Sequence, residues 1–259
     1  MSKLMVEQVG KTFASGDIVV EALSDINLRI AEHELAVIVG PSGCGKSTLL
    51  NIVAGLEQAD SGIVTMNGRS IEGPGADRGM VFQSYTLFPW LTVQQNVEFG
   101  LRIRGITAKE RQEIARHYID LVGLGSFAAT LPKALSGGMK QRVAIARALA
   151  NKPEMLLMDE PFGALDAQTR LVMQELLLTV WEQERTTILF ITHDIDEAVL
   201  LADNVYVMSR RPGRIRNQIQ VSLPRPRDHR ATVSPEFSTI KKEIMEMLWE
   251  ESRTAAIER

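Results

Sequence analysis

The chain has 259 residues, 45% of them hydrophobic and 24% charged, with a formal net charge of −3. This balance suits one sizeable globular domain, or a core with a substantial insertion, and lacks the basic bias of a nucleic-acid binder. The apolar runs, such as 35–39 and 155–158, are far shorter than the roughly 20 residues of a membrane helix, and polar residues across 1–10 leave no signal-peptide pattern, so a cytoplasmic location is expected.

The N-terminal third reads as short strands at 4–9, 18–20, 26–30, 35–39 and 62–66, with Ser15-Gly16-Asp17 and Asn67-Gly68 as turns. Between the strand at 35–39 and a helix expected at 48–54 stands Gly40-Pro41-Ser42-Gly43-Cys44-Gly45-Lys46-Ser47-Thr48, a Gly-x4-Gly-Lys-Ser phosphate loop in its strand-to-helix setting. Glycines at 40, 43 and 45 let successive N–H groups curl around an anion that also faces a helix N-terminus. Lys46 reaches the terminal phosphates in this reading, Ser47 coordinates magnesium, and Thr48 adds a hydroxyl at the same helix end. A plain glycine turn capping a core helix explains the glycines but not the lysine followed by two hydroxyls. Cys44 is the sole cysteine, so an internal disulfide is excluded and a cysteine-based metal site has no partners. It reads as a small residue filling the turn.

After a strand at 79–82 comes Gln83, placed to contact magnesium or a water while linking to the segment that follows. From 93 to 150 the periodicity turns helical, at 93–103, 108–121 and 139–150, and this reads as a helical insertion. Its last helix is led by Leu135-Ser136-Gly137-Gly138, a second serine-glycine anion cradle or, more simply, a capped helix start. If it binds phosphate, a two-fold pair lets each copy offer its phosphate loop to one nucleotide and its Ser136 cradle to the other.

Strand and helix then alternate: 155–158, 168–182, 187–192, 195–202 and 205–209, the pattern of a parallel sheet covered by helices, with ligands at the carboxyl strand ends. The first of these strands ends in Asp159-Glu160-Pro161. Asp159 suits the magnesium shell, and Glu160 suits a general base or water-orienting group. His193 follows the strand at 187–192 and can hydrogen-bond a terminal phosphate, although a histidine at a strand end is also a common structural residue. Asp166 sits where two copies would meet, and Phe13 can stack on adenine, though a single aromatic near a turn also serves as core. The turn Arg211-Pro212-Gly213-Arg214, a short strand at 219–221, a Pro/Arg-rich bend at 223–230 and a charged helix at 236–251 complete the chain.

The phosphate loop, Gln83, Leu135-Ser136-Gly137-Gly138, Asp159-Glu160, Leu165-Asp166 and His193, in that order and spacing, resemble the ATP-binding cassette ATPases across nearly the whole chain. Phe88-Pro89-Trp90-Leu91-Thr92-Val93, Ile71-Glu72-Gly73-Pro74-Gly75, the run from Asp159 to Asp166 and the tail from Val221 to Arg227 are similar to the nitrate, sulfonate and taurine importer branch. The resemblance implies an α/β fold: a P-loop NTPase core with a RecA-like, mainly parallel sheet, an N-terminal antiparallel β subdomain and a helical insertion. It implies a single ATPase domain, with 1–87 and 151–221 as nucleotide-binding core, 88–150 as helical signature subdomain and 222–259 as tail.

It further implies ATP and Mg2+ as ligands, with Ser47, Gln83 and Asp159 on the metal, and Lys46, Gln83, Glu160 and His193 at the γ-phosphate. The partners it implies are a second ATPase subunit, identical or paralogous, two membrane-spanning permease subunits, and an extracytoplasmic solute-binding protein, with this chain peripheral on the cytoplasmic face of the inner membrane. Gln83 and residues 84–98 would line the groove that receives a helix from the membrane subunit. Phe13 stands where the family often has tyrosine, and Met139 where the signature usually has glutamine. Neither supplies the base or a metal ligand, so activity is expected to survive. A soluble cassette ATPase acting on nucleic acid or translation would need a coiled-coil insertion, a fused second cassette or a basic surface, and none is seen. A non-hydrolytic dimerisation module is disfavoured by Glu160 and His193.

Overall fold

A computed structural model describes residues 2–257 of the chain. The chain divides into two units, one made of the segments up to Gly75 and from Thr187 onward, the other of Ala76–Thr186.

In the first unit β1 (Ser2–Ser15) and β2 (Ile18–Ala31) form a long antiparallel hairpin. The two strands expected at 18–20 and 26–30 are therefore one. Register shifts along the pair, and a positive φ of 50° at Asp25, absorb the polar stretch that reads as a break in the sequence. β3 (Leu35–Val39) is buried at every position, as a strand covered on both faces must be. It leads through the glycine-rich loop into α1 (Lys46–Ala54), which ends on Gly55 at φ 75°, a left-handed cap that glycine adopts without strain. β4 (Ser61–Met66) and the two-residue β5 (Arg69–Ser70) complete an antiparallel sheet ordered β2-β1-β4-β5.

The second unit contains β6 (Arg78–Val81), the helices α2 (Val93–Ile103), α3 (Ala108–Leu121) and α4 (Gly137–Ala150), then β7 (Met155–Asp159) and α5 (Ala167–Glu184). α2 opens with a capping box, in which Thr92 Oγ1 accepts from the Gln95 N–H and the Gln95 side chain accepts from the Thr92 N–H. α4 and α5 start on Ser136 and Asp166, whose side chains accept from the N–H groups of Met139 and Thr169. Within α4, Gln141 is fully buried, and neither its amide oxygen nor its amide nitrogen has a hydrogen-bond partner among the described residues.

The chain returns to the first unit with β8 (Thr187–Thr192), α6 (Ile195–Leu201), β9 (Asn204–Met208), β10 (Ile215–Gln220) and α7 (Pro235–Ile257). Here the order is β10-β9-β3-β8, parallel from β9 to β8, with β10 antiparallel at the edge. The expected α/β architecture, with a mainly parallel sheet and a separate N-terminal antiparallel sheet, is the one the chain adopts. β10 starts earlier than its hydrophobic pattern suggests, because an exposed edge strand needs few apolar side chains.

The tail after β10 is fixed to α6 by Arg227. Its buried guanidinium donates to the carbonyls of Val199, Leu200, Ala202, Val221 and Leu223 at 2.7–3.5 Å. Burial pulls its pKa down to about 10, so the group stays charged at neutral pH. Beside it, Arg225 pairs with Asp203 at 2.8 Å.

Candidate nucleotide site

Strand register gathers three chain segments at one end of the parallel sheet of the first unit. Val39 of β3 lies opposite Thr192 of β8 and Val207 of β9. Gly40, His193 and Met208, each one residue further on, therefore leave neighbouring strands side by side. These are the carboxyl strand ends, where open α/β sheets bind ligands.

The phosphate loop is closely packed on its outer side. Gly43 and Gly45 have φ of 75° and 107°, a region that favours glycine. A Cβ on Gly45 would come 2.8 Å from the Ala22 carbonyl oxygen and 2.7 Å from Leu23 Cδ2, and one on Gly40 would come 2.9 Å from the Met208 carbonyl oxygen. The Lys46 ammonium is turned into the loop, donating to the carbonyls of Gly40 at 2.8 Å and Pro41 at 3.0 Å, and only 4% of the residue is exposed. Gly45 caps α1 with no side-chain hydrogen bond, and its positive φ turns the loop into the helix N-terminus. Ser47 is exposed at that end and Thr48 half-buried beside it.

This is a cradle that fits a polyphosphate. Cys44 is buried with its sulfur 4.0 Å from the lysine nitrogen, which agrees with a turn-filling role. Phe13 lies on β1, 42% exposed, with the Lys11 ammonium over its ring at 5.2 Å from the centre.

In the second unit β6 and β7 run parallel with Val81 opposite Met158, so Gln83 and Glu160, each two residues past that pair, emerge level with one another. Gly163 lies beside both, since a Cβ there would meet the Glu160 carbonyl at 3.4 Å and the Gln83 amide nitrogen at 3.5 Å. Glu160 has φ 42°, a left-handed conformation that costs a non-glycine residue about 1–2 kcal/mol. Such strain fixes the direction of a side chain, and here that side chain is a carboxylate at a strand end.

Asp159 and Glu160 are half-buried, and the described residues contain no cluster of three or more His, Cys, Asp or Glu that could hold a metal by themselves. A magnesium site with few protein oxygens, completed by phosphate and water, fits that donor set, because magnesium keeps water and substrate oxygens in its shell.

The same unit brings the signature segment against Leu165 and Thr169, on either side of Asp166 in sequence. A Cβ on Gly137 would meet Leu165 Cδ2 at 3.5 Å and the Tyr85 hydroxyl at 2.7 Å, and one on Gly138 would meet the Thr169 methyl at 2.6 Å. Asp166 in turn accepts from the Thr169 N–H at 3.0 Å and the Thr169 hydroxyl at 2.7 Å, and these bonds pull its pKa below the ordinary carboxylate value. Leu135 is buried and Ser136 caps α4. Tyr85 is a contact that sequence reasoning missed, because a tyrosine two residues past a glutamine has no pattern of its own.

Residues 23–163 match the model of the family described as ABC transporter. The chain is 49% identical over 251 residues to a nitrate import ATP-binding protein, NrtD, of Synechocystis, covering 95% of this chain and 94% of that protein. It is 47% identical over 253 residues to a bicarbonate transport ATP-binding protein, CmpC, of Synechococcus elongatus, covering 96% of this chain but 38% of the relative. Among solved structures, the ATP-binding cassette MJ0796, a dimer in a post-hydrolysis state with ADP and Pi, superposes with a TM-score of 0.75 at 34% identity, covering 85% of this chain and all of that one. With its strand-to-helix phosphate loop and its level pair of glutamine and glutamate, the chain belongs to the ABC transporter family as an ATP-binding ATPase.

Proposed function

We propose that the chain is the ATP-hydrolysing subunit of an importer, binding Mg-ATP between two such subunits to power uptake of a small solute. What supports this most is the second unit, where Gln83 and a strained Glu160 emerge level with one another past the ends of paired strands. That is the geometry a γ-phosphate water needs from a metal-linked amide and a base. Lys46 would hold the terminal phosphates, Ser47, Gln83 and Asp159 would hold magnesium, Glu160 would take or orient the water proton, and His193 would hydrogen-bond the γ-phosphate.

Bound magnesium supplies charge neutralisation on the phosphates. The residues from Gly40 to Thr48 cradle the nucleotide while Phe13 stacks on adenine. The second copy closes over it with Leu135-Ser136-Gly137-Gly138, and Asp166 stands at the seam.

The chain then works as a peripheral subunit on the cytoplasmic face, beneath two permease subunits supplied by a solute-binding protein. An apolar groove of about 390 Å³ suits a helix of the permease. Met80, Phe88, Phe99, Ile103 and Arg104 are among the residues that line it. The branch resemblance and the nitrate and bicarbonate relatives favour a solute with an oxyanion group, such as nitrate, a sulfonate or taurine.

The Glu160→Gln variant tests the reading. It should bind ATP, elute as a dimer with ATP in size-exclusion chromatography, and hydrolyse about 10²- to 10⁴-fold more slowly. A variant that binds ATP but stays monomeric, or one with normal turnover, would overturn the shared site.

A further inference from the structure

The turn between β9 and β10 forms part of the outer wall of the phosphate loop, and it carries an arginine that the proposed mechanism does not use. Arg211 donates from Nη2 at 3.1 Å and from Nε at 3.3 Å to one acceptor, the Gly43 carbonyl. Two residues on, Gly213 is buried against Cys44, whose carbonyl oxygen and the Met208 methyl occupy the space a Cβ would need.

The same turn is tied to β2. Gly213 donates to the Ala22 carbonyl at 2.9 Å and accepts from the Ser24 N–H at 3.0 Å. Its base is closed on itself, since the Ser209 N–H donates to the Arg214 carbonyl at 2.9 Å and the Ser209 hydroxyl accepts from the Arg214 N–H at 3.0 Å. The arginine therefore sits on a fixed base and touches the loop where the backbone turns left-handed.

The consequence follows from peptide planarity. In a trans peptide the carbonyl and the next N–H point in opposite directions, so holding the Gly43 carbonyl on Arg211 turns the Cys44 N–H the other way. That N–H donates to the Pro41 carbonyl at a stretched 3.4 Å, and the Lys46 ammonium uses the same carbonyl. The Cys44 donor thus faces the lysine side of the loop. A guanidinium on the carbonyl also polarises the peptide and strengthens its N–H as a donor.

We propose that Arg211 is a positioning residue for the nucleotide phosphates, acting through the Gly43–Cys44 peptide. This rests on the phosphate loop's being the ATP site. Arg211→Ala should raise the KM for ATP about fivefold to tenfold, with kcat within twofold and an unchanged thermal midpoint, because one charge-assisted hydrogen bond is lost from an exposed side chain. Arg211→Lys, which keeps a cationic donor, should recover most of the loss, while Arg211→Gln, which keeps a neutral donor, should recover little.

The assays use the full chain, with ATP affinity measured by calorimetry and Lys46→Ala as control. An unchanged KM in Arg211→Ala, or a raised KM accompanied by a lower kcat and a lower melting temperature with no rescue by lysine, would overturn the proposal. If wild type binds ATP and Lys46→Ala does not while Arg211→Ala binds normally, only the role of Arg211 fails. If wild type does not bind ATP, the underlying reading fails as well.

Discussion

Glycine 45 shows how much of the site is decided by a missing side chain. With φ at 107° and the Ala22 carbonyl and Leu23 methyl pressed against it, any Cβ meets both a torsional and a packing penalty. Gly45→Ala should lower stability by about 2–3 kcal/mol in urea denaturation and abolish ATP binding, since relief of the clash must move the loop. An alanine variant with wild-type stability and affinity would contradict that packing. At this scale the sequence offers its candidates openly: Gly40 to Thr48, Gln83, Asp159, Glu160 and His193 are proposed because a phosphate demands those residue types. Arg211 and Tyr85 are not among them, because each acts through a contact far away in sequence or through a small residue that bears no mark of it. The turn at 211–214 reads as a turn, and only the folded chain puts its arginine on Gly43.

Among the elements, the most telling is the tail beyond β10, where a single guanidinium satisfies carbonyls from both α6 and the strand exit. Arg227→Met keeps the stem volume but strands those acceptors in a buried place. We expect a loss of about 3 kcal/mol, read as a lower midpoint in chemical denaturation, because unsatisfied buried polar groups cost more than the bond itself contributes. A midpoint equal to wild type would mean that water replaces the arginine.

The elements most visible in the sequence were those with strong periodicity or full burial, such as β3, β8 and α3. Those missed or misjudged were polar or irregular. β5 is two exposed residues, β2 carries a bulge across its polar middle, and β10 is an edge strand with mostly exposed side chains. Hydrophobic pattern has nothing to report where no face is buried.

For the whole molecule, the proposed site residues belong to two units: the phosphate loop and His193 to one, and Gln83, Ser136, Asp159, Glu160 and Asp166 to the other. The alternation of strand and helix after residue 150 announced the parallel sheet, and the order of motifs announced the family across nearly the full length.

The orphaned amide of Gln141 has a consequence for how this molecule balances durability against work. A buried amide with no hydrogen-bond partner among the described residues costs about 1–3 kcal/mol, which a thioether of similar shape would remove. Gln141→Met should therefore melt several degrees higher than the natural chain in calorimetry. If that hardier variant also turns over ATP more slowly, the glutamine is kept as a weak point within the signature helix itself. A lower melting temperature would instead reveal a partner that the amide finds in solution.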